Sequence, residues 1–252
     1  MIYVEFWRAR NVLMWYAVGL LAIVALIVIS MGHATVEVND TKVAAPELIP
    51  LSLLLGLAAY AATIMATILG SSLSCLSDQL PNAWTKPESR ERIALSFFVV
   101  DVAAIVLLFV LAVGCGLFVL LQAHMFAHLS LDAQALPVGL LGLGMALMWY
   151  GLAQAATAWR HGRGGMIAGL SWPAFLVLLV LASAPLPALL HGIVIALNVL
   201  NPLAYFGISS HNGNVDVESV FPFSLNGRIA IVYALGLAGC ALAVFGWKRL
   251  EV

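Results

Sequence analysis

Asp101 is the carboxylate that lies well inside an apolar run, in SFFVVDVAAIV. An ionisable group in such a setting relays a proton or ion, or is held by a polar partner. No other apolar run offers an acidic companion at mid-depth. A local ion pair with Arg92, nine residues earlier, or a polar packing contact is therefore expected, and a proton relay is the alternative. Ser71, Ser72 and Ser74 crowd into GSSLSC. Hydroxyls so close together can let two helices approach, line a polar path or attack a substrate. Attack needs a base held beside the nucleophile, and neither a GxSG turn nor an HExxH helix is present. Close packing is expected, and a place on a translocation path is the second reading. His124 and His128, four residues apart, would present both imidazoles on one face of a continuing helix, with Asp132 a turn further on. Two histidines are too few for a zinc site, and Leu136 and Pro137 already open the next apolar run. A loop at the membrane surface is expected there, and no metal is assigned.

The elements that must position these residues follow from composition. Of 252 residues, 63% are hydrophobic and 9% charged, against roughly 25% charged in a soluble globular chain. So little charge cannot clothe a water-soluble surface, so the bilayer is the main solvent. The net charge of -1, with basic residues scattered in twos and threes, argues against a nucleic-acid partner. Cys75, Cys115 and Cys240 lie far apart in apolar runs with no CxxC spacing and read as small packing residues.

Six apolar stretches are long enough to cross, since about 20 residues at 1.5 Å each cover a 30 Å hydrocarbon core. They run from Val12 to Met31, Leu51 to about Cys75, Ile93 to Gln122, Leu136 to Ala158, about Met166 to Leu190, and Ile229 to Trp247. The twenty-residue first stretch exceeds the ~7 to 15 apolar residues of a signal peptide and is read as a retained span. With the N-terminus inside, Arg8, Arg10, Lys86, Arg90, Arg92, Arg160, Arg163, Lys248 and Arg249 are cytoplasmic, and only Lys42 and Arg228 are outside. This asymmetry places both termini in the cytoplasm. The segment His191 to Phe206 is apolar but short, and it contains Asn198, Asn201 and Pro202. Broken backbone at membrane depth must be buried in protein or line a cavity, so an outer dipping element fits better than a seventh crossing.

Two stretches flank the spans. The N-terminal residues 1–11 alternate Ile2, Tyr3, Phe6 and Trp7 with Glu5, Arg8 and Arg10, as an interfacial helix would. The inner stretch 76–95 is punctuated by Pro81 and Pro87 and charged from Glu88 to Arg92 just before a helix resumes. No GxxxxGK[ST] loop occurs, so any ATP that drives this chain is hydrolysed elsewhere.

These features together resemble the permease subunits of type-2 ATP-binding-cassette transporters. MIYVEFWRAR looks like the family's interfacial helix, NAWTKPESRERIAL like its coupling region with a Pro-x-Ser-Arg core, and HGIVIALNVLNPLAYF like its broken outer segment. The resemblance implies one all-α transmembrane domain over 1–252. It would have six spans, an N-terminal interfacial helix, a coupling loop at 76–95 and, at 191–226 before the last span, an outer segment of short re-entrant helices followed by a loop. It implies a chain that is not itself an enzyme, paired with a second permease in the inner (plasma) membrane and seated on separate ATPase subunits that hold ATP and Mg. Trp84, Lys86, Pro87, Ser89, Arg90 and Arg92 would contact the ATPase. Ser71, Ser72, Ser74, Asp101, Asn198 and Asn201 would be candidates for the translocation path. An ion-coupled secondary carrier is the alternative, although no internal repeat marks the chain as one.

Overall fold

The computed structural model describes residues 2–33, 49–72, 90–159, 164–211 and 214–248. Their helices are α1 (Ile2–His33), α2 (Leu51–Ser72), α3 (Arg90–Gln122), α4 (Ala135–Trp159), α5 (Gly164–Ser183), α6 (Ala188–Asn198) and α7 (Leu225–Lys248). All but α6 are long and apolar enough to cross a membrane, so the chain is a multi-pass membrane protein with six candidate spans. Helices answer the solvent here, because in hydrocarbon every backbone N–H and C=O must be satisfied within the segment.

The expected spans are found with shifted ends. Residues 2–11 continue into the first span as one unbroken helix, with the Arg10 guanidinium 3.4 Å over the Trp7 ring. The fifth span ends at Ser183 rather than near Leu190. Pro185 and Pro187 carry no N–H to continue the ladder, and each drives the residue before it out of helical geometry. The chain restarts as α6, eleven residues that are too few to cross. A 3-10 turn, Pro202–Tyr205, follows.

The six-span helical architecture holds, and the connections add two short strand pairs. Strands β3 (Gly207–His211) and β4 (Asn214–Glu218) pair antiparallel, with Gly207 opposite Glu218 and His211 opposite Asn214. Two-residue strands β1 (Ile49–Pro50) and β2 (Leu129–Ser130) pair in parallel, tying the entry of α2 to the exit of α3. These connections lie outside the apolar spans, where extended backbone has water or a partner strand to bond.

Packing centres on α4, which α2 and α7 flank. The α2–α4 seam is built from small residues: a Cβ on Gly142 would fall 2.5 Å from that of Ala59, and one on Gly70 2.7 Å from that of Ala153. On the other side α4 and α7 touch backbone to backbone. A Cβ on Gly151 would strike the Gly236 carbonyl oxygen, and one on Gly239 would lie 2.5 Å from the Gly151 carbonyl carbon. Lipid tails are as apolar as leucine, so burial gives little gain in the bilayer and close contact between small residues supplies the attraction instead. By contrast 61% of the α2 span is buried, but only 6% of the α1 and α5 spans.

Candidate functional site

Asp101 is fully buried on α3 and faces α4. It sits ~16 Å along α3 from Arg90, at 1.5 Å per residue, in the half of the bundle nearer both chain ends. The Tyr150 hydroxyl donates to Asp101 Oδ2 at 2.8 Å, and Gln154 Nε2, one turn along α4, donates to the Tyr150 oxygen at 3.2 Å. The result is a directed chain from Gln154 through Tyr150 to Asp101, all three side chains buried. Phe98 meets Tyr150 edge-on with ring centroids 6.1 Å apart and stacks on Trp247 at 5.7 Å, closing the chain off towards the termini. Among the described residues Gln154 Oε1 is buried with no hydrogen-bond partner. A buried acceptor left open costs about 1–3 kcal/mol, so this oxygen is poised to receive a donor.

Beside it runs a ladder of hydroxyls on α2. Thr63, Thr67 and Ser71 are buried on one face, each donating to the carbonyl four residues earlier: to Ala59 at 2.8 Å, Thr63 at 3.0 Å and Thr67 at 2.7 Å. Two indoles converge on Thr67 Oγ1, Trp149 Nε1 at 2.7 Å and Trp172 Nε1 at 3.2 Å, joining α2, α4 and α5 through one oxygen. Thr157 Oγ1 donates to Gln154 O at 3.0 Å and lies 3.3 Å from Gly70 O. Ser71 thus stands in a packed seam with its hydroxyl satisfied by its own helix. Ser72 ends α2, and Ser74 lies outside the described residues.

Asn198 and Asn201 act at the opposite end, fully buried. Asn198 Nδ2 donates to Leu178 O and Val194 O, each at 3.0 Å, while Asn201 Nδ2 donates to Phe175 O at 3.1 Å and to Asn198 Oδ1 at 2.9 Å. Asn201 Oδ1 accepts from Leu203 N at 3.0 Å, capping the 3-10 turn. The pair pins α6 and the turn onto the carbonyls of α5. The turn is held from its far side by Arg228, whose Nη1 donates to Tyr205 O at 3.0 Å, and by Tyr60, whose hydroxyl donates to Phe206 O at 2.7 Å. The Tyr205 hydroxyl donates to Val199 O at 2.8 Å, and burial pushes its phenol up to about 12, so it stays a donor at physiological pH.

The histidine pair does not share a helix face. Helix α3 ends at Gln122, His124 takes a left-handed φ of 55°, and a 3-10 turn carries Phe126–His128. Among the described residues no group of three His, Cys, Asp or Glu could hold a metal. Asp132 instead caps α2 from a distance, its Oδ1 accepting from Ser52 N at 3.0 Å. Cys115 is buried and Cys240 half-buried, both free thiols, while Cys75 lies outside the described residues. In the expected coupling region Trp84, Lys86, Pro87 and Ser89 also lie outside the described residues. Arg90 opens α3, and Arg92 is exposed on its first turn.

Sequence reasoning finds Asp101 but misses Tyr150, Gln154 and Thr67. Tyrosine, glutamine and threonine are ordinary at helix surfaces, and only the arrangement of α2 and α4 shows that they converge. Three polar residues at four-residue steps, Thr63, Thr67 and Ser71, were the readable signal. No family model, no curated protein and no solved structure matches this chain.

Proposed function

We propose that the chain is the membrane-spanning permease subunit of an ATP-driven exporter in the inner (plasma) membrane. It would form the path with a second permease and be moved by separate ATPase subunits holding ATP and Mg. The observation that carries this reading is that α2 ends at Ser72 and α3 begins at Arg90, with the connection 73–89 between them in the sequence, whereas only residues 160–163 separate α4 from α5. With 61% of its span buried, α2 is the most enclosed helix of the set, so a load on that connection reaches the core directly. A motor biases a two-state membrane element only through contacts that differ between the states. Positive charge at Arg90 and Arg92 offers such contacts.

The test is export in membrane vesicles with the cognate ATPase. Arg90→Ala with Arg92→Ala is expected to reduce transport and transport-coupled ATP hydrolysis by at least about tenfold, the loss of one or two charged hydrogen bonds, with membrane insertion unchanged. Full transport in the absence of any ATPase overturns the reading. The buried Gln154–Tyr150–Asp101 chain favours a second one, an ion-coupled carrier in which Asp101 binds the coupling ion. Transport that follows an ion gradient, survives ATP depletion and is abolished by Asp101→Asn would establish the carrier in place of the exporter.

A further inference from the structure

At the end of the bundle away from the chain termini, a cleft of about 420 Å³ opens between α2, α5, α6 and the base of the hairpin. This falls within the roughly 300–1,000 Å³ of small-molecule sites. Leu179, Ile195 and Val220 supply apolar wall, and Tyr60, Ser183, His191 and Ser219 supply polar atoms.

The polar atoms are not equivalent. The Tyr60, Ser183 and Ser219 hydroxyls already donate, to Phe206 O at 2.7 Å, Val180 O at 3.0 Å and Phe221 O at 2.7 Å. Each oxygen keeps a lone pair to accept with, although Ser219 Oγ already accepts from Phe221 N at 3.1 Å. The His191 side chain makes no hydrogen bond among the described residues and supplies the one uncommitted side-chain donor in the cleft. Among the described residues no Asp, Glu, Lys or Arg lines it. A charged head group entering there would lose its water without gaining a counter-charge, whereas a neutral one needs only matched hydrogen bonds. The floor is preformed, because the turn Pro202–Tyr205 beneath it is held by Asn201, Arg228 and the Tyr60 bond to Phe206. Rigid walls lower the ordering cost of binding.

We propose that this cleft binds a neutral amphiphile, a molecule with an apolar tail and a hydroxyl-bearing head that accepts from His191 and donates to the hydroxyl oxygens. The site stands whether ATP or an ion gradient drives the protein, and its test needs neither.

The experiment is saturation binding of radiolabelled monodecanoylglycerol to the full chain in phosphatidylcholine nanodiscs, with empty nanodiscs as the partition control. Decanoate and decyltrimethylammonium serve as charged competitors. Saturable binding at about one site per chain is expected, with both charged analogues at least about tenfold weaker, as uncompensated charge burial requires. Ala182→Trp, which fills the cleft from α5, should abolish the saturable component. His191→Ala, on the half-exposed face of α6, should weaken it about fivefold through one lost hydrogen bond. Monodispersity and melting temperature verify that both variants fold. Binding no different from empty nanodiscs overturns the proposal. So do a charged analogue that matches the glyceride, and a folded His191→Ala protein with unchanged affinity.

Discussion

The carboxylate of Asp101 is the acceptor at the end of a buried chain of donors, so its replacement separates charge from hydrogen bonding. Asp101→Ala leaves the Tyr150 hydroxyl without its acceptor in a site closed by Phe98 and Trp247. A loss of about 1–3 kcal/mol is expected, the cost of stranding a buried donor. Asp101→Asn keeps an oxygen for Tyr150 and should cost less than half as much. Unfolding curves of the two detergent-solubilised variants check the ranking, and equal losses would show that negative charge rather than hydrogen bonding holds the site. At this scale the sequence was legible in part. A lone Asp inside SFFVVDVAAIV announces itself, because its setting already violates the solvent. Tyr150 and Gln154 do not, since their meaning depends on Asp101 arriving from another helix. The asparagines at 198 and 201 were legible as a break in the backbone but not as the clamp that organises it.

Among the elements, the α4–α7 seam makes the firmest demand. Gly239→Ala would place a methyl 2.5 Å from the Gly151 carbonyl carbon and 2.7 Å from Leu152 N, and backbone cannot yield as a flexible side chain does. Separation of α4 from α7 is expected, with about 1–3 kcal/mol of overpacking strain. Gly19→Ala, on a face of α1 with nothing within 4 Å, should be neutral or stabilising by up to about 1 kcal/mol through helix propensity alone. Thermal unfolding of the pair distinguishes a packing glycine from an incidental one. Span existence was readable from apolar length, but span ends were less so. Pro185 and Pro187 cut α5 short inside a run that hydropathy alone carries on to Leu190. The hairpin was missed although Asn212-Gly213, the commonest two-residue hairpin signal, lies between its strands in the sequence. Reading the residues after the dipping element as a plain loop hid it.

For the whole molecule, the balance of Lys and Arg predicts that both ends of the chain lie on the cytoplasmic side. A reporter that fluoresces only in the cytoplasm should be bright when fused after Val252. One that is active only outside should work when inserted beside Lys42, and the reverse result would invert every assignment of inner and outer. Fold class was legible from composition because so few charges leave the chain no other solvent. The order of packing was not, since all six spans are apolar enough to cross while α2 and α4 are enclosed and α1 and α5 are peripheral. The central place of α4 also sets a timetable for assembly. Its partner α2 is already made when α4 emerges from the ribosome, but α7 begins about 65 residues after Trp159. At ~5–20 residues per second that is roughly 3–13 s. Throughout that interval the glycine face of α4 lacks its partner, and this side of the bundle closes only when α7 arrives.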